Sequence, residues 1–165
     1  MHWGHAVSRD LVHWKTLPIA LYPQGNGDEY IFSGSTLIDY DNVTGFESSF
    51  TQNKTMIAIF TAHSVPEAVE KQWMAYSFDE GIHWKYYKNN PIIPNPNQTN
   101  FRDPYVFKYE DYFVAVLVVT DHIQIYNSYD LKHWKLVSKW GRDQGSHQGV
   151  WECPSLFPIK VTLNW

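Results

Sequence analysis

Several things are scarce in this sequence. Among 165 residues there is one cysteine, Cys153, and there are three arginines, Arg9, Arg102 and Arg142. A single cysteine excludes an internal disulfide framework and a Cys-rich zinc site. Charged side chains make up only 18% of the chain and leave a formal charge of −4; a mildly acidic chain with three arginines is a poor source of the basic patch that nucleic acid wants, so no nucleic-acid partner is expected. The longest apolar run, Tyr112 to Thr120, falls far short of the ~18 residues that read as a membrane helix, so no membrane partner is expected. Met1 is followed by no basic stretch and no apolar stretch, so no signal peptide is read. Phosphate-binding glycine loops, H-E-x-x-H and G-x-S-x-G are all missing.

What is plentiful is aromatic. The chain carries 8 Trp, 11 Tyr and 9 Phe, together 17% of its residues. Disorder is excluded by that richness. Such rings either fill a β core or stack on the apolar C–H faces of sugars, and composition leaves both open. The eight histidines form no ligand cluster. His2 and His5 flank Trp3-Gly4 with no third ligand nearby, and neither a metal nor a cofactor is expected.

Strand-like runs dominate the chain. Tyr30 to Asp39, Thr55 to Ala62, Gln72 to Phe78, Tyr112 to Thr120 and Ile123 to Ser128 are rich in β-branched and aromatic residues. Polar, turn-forming clusters separate them at 24–28, 41–45, 89–100 and 141–149. Only Val65 to Gln72 could form a helical turn, so the chain reads as all-β. An internal repeat supports this. Ser8-Arg9-Asp10-Leu11-Val12-His13-Trp14-Lys15 recurs at Ser128 to Lys135, and a variant with one extra residue runs from Ser77 to Lys85. Each copy predicts a tight hairpin in which Asp accepts hydrogen bonds from the turn's own N–H groups and Trp packs beneath. The repeated histidines, His13, His83 and His133, are expected to pack in these turns. Recurrence of a short multi-strand unit predicts propeller blades. Three copies allow about three blades, so the ring is expected to be incomplete.

Three N-x-[ST] sequons, at Asn42, Asn53 and Asn97, lie in polar stretches. They favour a secreted glycoprotein as the parent, whether extracellular or vacuolar.

Two carboxylates stand out by context. Asp103 lies in Asn100-Phe101-Arg102-Asp103-Pro104, and Glu152 in Trp151-Glu152-Cys153-Pro154, within a stretch otherwise free of Asp, Glu, Lys and Arg from 144 to 159. Neighbours on a strand point to opposite faces, so Arg102 and Asp103 need not pair. Apolar surroundings would bury Glu152 and disfavour its charge, as a general acid requires. Two carboxyl groups flanking one bond are the equipment of glycoside hydrolysis.

Four segments in order, Trp3-Gly4-His5-Ala6-Val7-Ser8, Phe32-Ser33-Gly34-Ser35, Phe101-Arg102-Asp103-Pro104 and Glu152-Cys153-Pro154, resemble glycoside hydrolase family 32, the invertases, inulinases, levanases and related β-fructofuranosidases. The resemblance spans nearly the whole chain. It implies that residues 1–165 are part of an N-terminal catalytic five-bladed β-propeller, with a β-sandwich following in the parent. It implies retaining hydrolysis of terminal fructofuranosyl linkages in sucrose, inulin or levan, in carbohydrate catabolism. By the resemblance, Glu152 would be the general acid/base, and Asp103 would hold fructose hydroxyls and stabilise the transition state. Arg102 would hold sugar hydroxyls and help set the charge on Glu152, Phe32 and Ser33 would line the fructose pocket, and Cys153 would be a buried neighbour of Glu152. The family's nucleophile, the Asp of W-M-N-D-P-N-G, is missing; the chain contains no Asn-Asp dipeptide. An enzyme fragment with its nucleophile upstream, inactive on its own, is therefore expected. The other readings are a non-catalytic fructoside-binding remnant, a structural propeller piece, and a sialidase-like propeller, whose Asp-box the run Ser77 to Trp84 resembles but whose arginine triad is poorly supplied here.

Overall fold

The computed structural model describes residues 1–25, 27–46 and 54–162. Among these residues the chain forms strands and turns, arranged as three antiparallel sheets. A two-stranded ribbon pairs β1 (Trp3–Ser8) with β2 (Trp14–Leu21). A four-stranded meander follows: β3 (Glu29–Asp39), β4 (Thr55–Ser64), β5 (Val69–Ser77) and β6 (Lys85–Tyr86). The last four strands, β7 (Phe101–Tyr109), β8 (Tyr112–Val119), β9 (His122–Ser128) and β10 (Lys135–Trp140), form a second meander. The roughly three blades expected are thus two complete ones and a ribbon. The sequon residue Asn53 lies outside the described residues; Asn42 is half-buried and Asn97 exposed.

All five strand runs read from composition are strands. The expected helical turn at Val65 to Gln72 is not formed. Residues 65–68 are instead the turn of the β4–β5 hairpin, closed by Ala68 in the left-handed region (φ 53°), with Ser64 opposite Val69. From there β5 alternates, and Glu70, Gln72 and Met74 point inward. Cross-strand pairing outweighed the weak helical preference of a short segment. Strand β7 had no alternating apolar signal, because Arg102, Asp103 and Pro104 interrupt its pattern.

The β3–β6 sheet is buried on both faces, which explains the unbroken apolar run in β4. Ile57 and Ile59 enter one core with Met74 and, from the next sheet, Phe101, Val106, Phe113, Ala115 and Leu117. The intervening Ala58, Phe60 and Ala62 enter a second core with Leu21, Ile31 and Ala75, covered by Trp3, Trp73 and Trp84. A period of two thus divides one strand between two cores. Each fully buried side chain of Ile or Phe size contributes ~1.5–3 kcal/mol.

The three repeats form the hairpins β1–β2, β5–β6 and β9–β10, with the same bonding in each. The Asp carboxylate accepts from the His backbone N–H at 2.8, 2.9 and 2.8 Å in the copies at Asp10, Asp79 and Asp130. The Trp indole donates to a turn carbonyl: Trp14 to Leu11, Trp84 to Gly81 and Trp134 to Leu131. The histidines serve the turn by hydrogen bonding to Asp rather than by the packing expected of them. Their side chains are 84–87% exposed, at 2.8, 2.6 and 2.6 Å from the carboxylate. The two complete blades carry this turn between their third and fourth strands. By the same logic β1–β2 is the outer pair of a blade.

Where β3 meets β4, the ladder jumps from Ile31–Ala62 to Gly34–Phe60, leaving Phe32 and Ser33 as a bulge. The bulge turns Gly34 so that a Cβ there would lie 2.2 Å from the Ile59 carbonyl oxygen and 2.6 Å from the Phe60 Cα. Both are backbone atoms of a central strand and cannot give way. Gly34→Ala is expected to cost about 3 kcal/mol or more, read as a lowered midpoint of urea unfolding.

The turns carry a pH dependence. Partial burial works against ionisation of Asp79 and Asp130, but the hydrogen bonds from His83 and Ser77, and from His133, Lys132 and Ser128, overcome it and hold both at about 2, below the usual 3.8. A carboxylate with a depressed native pKa stabilises the fold fully above its unfolded value. That stability is lost as pH falls from 3.8 through about 2. Denaturant unfolding at about pH 6 and about pH 3 is expected to show a smaller pH-dependent loss in Asp130→Asn than in the wild type.

Candidate active site

Two bulges at equivalent places build the site. In β7 the ladder jumps from Arg102–Val118 to Tyr105–Val116, so Asp103 and Pro104 face one residue of β8. Asp103 takes a left-handed conformation (φ 59°). This rotation cancels the strand alternation that would separate Arg102 from Asp103, and brings Arg102 Nε to 3.9 Å from Asp103 Oδ2. The bulge of β3 presents Phe32 and Ser33 beside it. Ser35 ties the two strands together, donating to the Pro104 carbonyl at 3.0 Å and accepting from the Val106 N–H at 2.9 Å.

Glu152 arrives from the segment after β10. That segment folds around Trp151, whose indole donates to the Ser146 carbonyl at 2.8 Å and whose own N–H bonds the Thr120 carbonyl at 2.7 Å. Gly141, at φ 107°, lets the ring lie where a Cβ would come within 2.7 Å of it. Trp151 thereby fixes the direction in which Glu152 and Cys153 leave.

A cavity of about 360 Å³ is lined by Met1, Phe32, Ser33, Arg102, Asp103, Glu152 and Cys153. All five site residues expected from the sequence meet there. Asp103 is buried, its N–H held by Thr61 Oγ1 at 2.9 Å and its Oδ2 accepting from the Cys153 N–H at 3.0 Å. Arg102 donates through Nη2 to Glu152 Oε1 at 3.0 Å. Both carboxylates therefore touch one guanidinium. Desolvation works against the charge on Arg102, but its hydrogen bonds to Glu70 and Glu152 and the nearby Asp103 outweigh it and raise its pKa.

Two expectations fail on burial. The Glu152 side chain is 64% exposed rather than shielded by apolar neighbours, because Arg102 draws it to the cavity rim. Cys153 is exposed rather than buried, with its N–H, at φ 48°, turned to Asp103.

The sequence reading missed the residues behind the site. Thr61, Glu70 and Gln72 are buried polar side chains of β4 and β5. Thr61 donates to Gln72 Oε1 at 2.8 Å, and Gln72 Nε2 donates to the Phe101 carbonyl at 2.7 Å. Glu70 accepts from the Phe101 N–H at 2.9 Å and from Arg102 Nη1 at 3.1 Å. The signal was polar alternation in Val69-Glu70-Lys71-Gln72-Trp73, hidden by the helical reading of that segment.

The sequence matches the family model described as "Glycosyl hydrolases family 32 N-terminal domain" over residues 1–164. The chain belongs to glycoside hydrolase family 32. Its sheets are accordingly part of that family's five-bladed β-propeller. The chain is 50% identical over 166 residues to a levanase of Bacillus subtilis, covering 99% of this chain and 24% of the levanase. It is 39% identical over 185 residues to an extracellular exo-inulinase of Aspergillus ficuum, covering 96% of this chain and 34% of that protein. Its backbone superposes on a fructofuranosidase from Schwanniomyces occidentalis complexed with fructose with a TM-score of 0.85 at 38% identity, covering 94% of this chain and 30% of that one. The family 32 chain thus spans about a quarter to a third of the length of these relatives.

Thr61 holds the Asp103 backbone from behind without reaching the cavity. Thr61→Val leaves the Asp103 N–H and Gln72 Oε1 without partners and is expected to cost about 2–3 kcal/mol in urea unfolding. Thr61→Ser keeps the hydroxyl and is expected to lose much less.

Proposed function

We propose that this chain carries the acid/base and sugar-holding side of a retaining β-fructofuranosidase site, acting on terminal fructosyl units of sucrose, inulin or levan. The observation that carries the reading is the pair of carboxylates, one buried and one exposed, joined through Arg102 in a single cavity. Glu152, at the rim, protonates the glycosidic oxygen of a leaving group and later takes a proton from water. Asp103 has Oδ2 engaged by Cys153, which leaves Oδ1 to accept from fructose hydroxyls and to stabilise the oxocarbenium-like charge of the transition state. Arg102 orients Glu152 and offers N–H donors to the sugar. Phe32 supplies an apolar wall, stacked on His63 with ring centroids 4.7 Å apart, and Ser33 a hydroxyl.

Retention requires a second catalytic carboxylate as nucleophile, about 5–5.5 Å from the acid. Among the described cavity residues the carboxylates are Asp103 and Glu152 alone, and the family resemblance assigns the nucleophile to a motif that the 165 residues do not contain. The parent enzyme is proposed to act outside the cell, in keeping with the extracellular exo-inulinase among its relatives.

Purified 165-residue protein is therefore expected to release no measurable fructose from sucrose, since no covalent intermediate can form. It is still expected to bind sucrose, and Asp103→Asn to weaken that binding at least tenfold in calorimetry. Turnover within tenfold of a full-length relative would overturn the assignment of roles.

A further inference from the structure

Behind Arg102 lies a buried carboxylate, Glu70, that does not line the cavity. Glu70 is 6% exposed and lies on β5, in the blade preceding that of Arg102. A carboxylate at that depth is tolerated only when its oxygens are paired. One oxygen accepts from Arg102 Nη1 at 3.1 Å and the other from the Phe101 N–H at 2.9 Å. We infer that Glu70 is a positioning residue of the site, holding the Arg102 guanidinium so that its other edge faces Glu152 and Asp103. The inference rests on the fructofuranosidase reading above.

Four further residues favour this role over simple packing. Gln72, two residues along the same face of β5, donates to the Phe101 carbonyl at 2.7 Å, so both polar backbone groups of Phe101 are held by β5 side chains. The start of β7 is thereby registered against the neighbouring blade one residue before Arg102. Asn100 Oδ1 accepts from Arg102 Nη1 at 2.6 Å, so that nitrogen is shared by two acceptors on the side away from Glu152. Asn95 Nδ2 donates to the Glu70 carbonyl at 2.9 Å and steadies the backbone that carries the carboxylate. His63 connects this cluster to the aromatic wall: its Nδ1 is 4.0 Å from Glu70 Oε1 and its ring is stacked on Phe32.

Arg102 therefore has its Nη1 committed to Glu70 and Asn100, its Nη2 directed at Glu152 and its Nε nearest Asp103. A planar guanidinium fixed at one nitrogen has little freedom left in its other two. Without the Glu70 charge, Arg102 would lose its fixed point, and Nη2 and Nε would no longer be held at Glu152 and Asp103.

The test uses the full chain and two readouts. The first is the Arg102 side-chain Nε–Hε signal in ¹⁵N-edited NMR, which reports a held guanidinium. The second is sucrose affinity by calorimetry. The wild type is expected to show a resolved, slowly exchanging Arg102 signal. Glu70→Gln, which keeps the shape and an acceptor for Phe101, is expected to lose that signal and to bind sucrose at least tenfold more weakly. Glu70→Asp, which keeps the charge, is expected to restore part of both. Asp130→Ala, in a distant turn, weakens the fold without touching the site and is expected to change neither readout.

A Glu70→Gln chain that retains the Arg102 signal and binds sucrose within twofold of the wild type would overturn the inference. So would a wild-type Arg102 signal averaged by rapid exchange, a result that needs no variant to fold. A wild-type chain that binds no sucrose would instead refute the fructofuranosidase reading, and the Arg102 signals of the wild type and Glu70→Gln would still decide the role of Glu70.

Discussion

Two innermost strands, β3 and β7, lie side by side at the junction of two blades without sharing a backbone ladder. The wall of the site that carries Phe32, Ser33, Arg102 and Asp103 follows from how that junction is closed. Pro104 has no N–H to offer, and the bulge it shares with Asp103 removes both residues from regular pairing with β8. The Ser35 hydroxyl makes up the difference, donating to the Pro104 carbonyl and accepting from the Val106 N–H. Gly34, beside it, permits the approach of β4 that the opposite bulge requires. Two short motifs in different blades thus form one structural joint, and the cavity lies beside it.

Charge is organised around that joint by a single side chain. Arg102 meets three carboxylates, from Glu70, Asp103 and Glu152, which lie at increasing sequence distance from one another and differ in burial. Low local dielectric makes each of these interactions matter more than on an open surface, and makes each unpaired alternative costly. The arrangement grades from a buried carboxylate behind the guanidinium to an exposed one in front of it. Such a gradient allows one cationic group to tie the junction of the blades to the rim of the cavity.

The blades themselves rest on a more modest device. Each Ser-x-Asp turn closes the outer pair of strands by local hydrogen bonds that need no tertiary partner. These turns were legible because their bonding is sequence-local: an Asp caps N–H groups within four residues of itself. The β7 strand and the network of Thr61, Glu70 and Gln72 were not legible. Their partners are 29 to 42 residues away in the chain, and no local pattern announces a contact of that span. Misreading Val65 to Gln72 as a helical turn had the same origin, since the strand there is specified by its ladder to β4.

The sequence by itself determined the all-β class, the repeated turns, the identity of the family and the five residues that meet in the cavity. Those depend on composition, local hydrogen bonding and short motifs. Only the tertiary structure decided that Arg102 and Asp103 share one side of β7, that Glu152 sits exposed at the rim, and that Glu70 stands behind them. Each of these depends on a bulge or on a long-range pairing of buried charge. Such features arise where two blades meet, and neither blade's own sequence carries enough information to specify them.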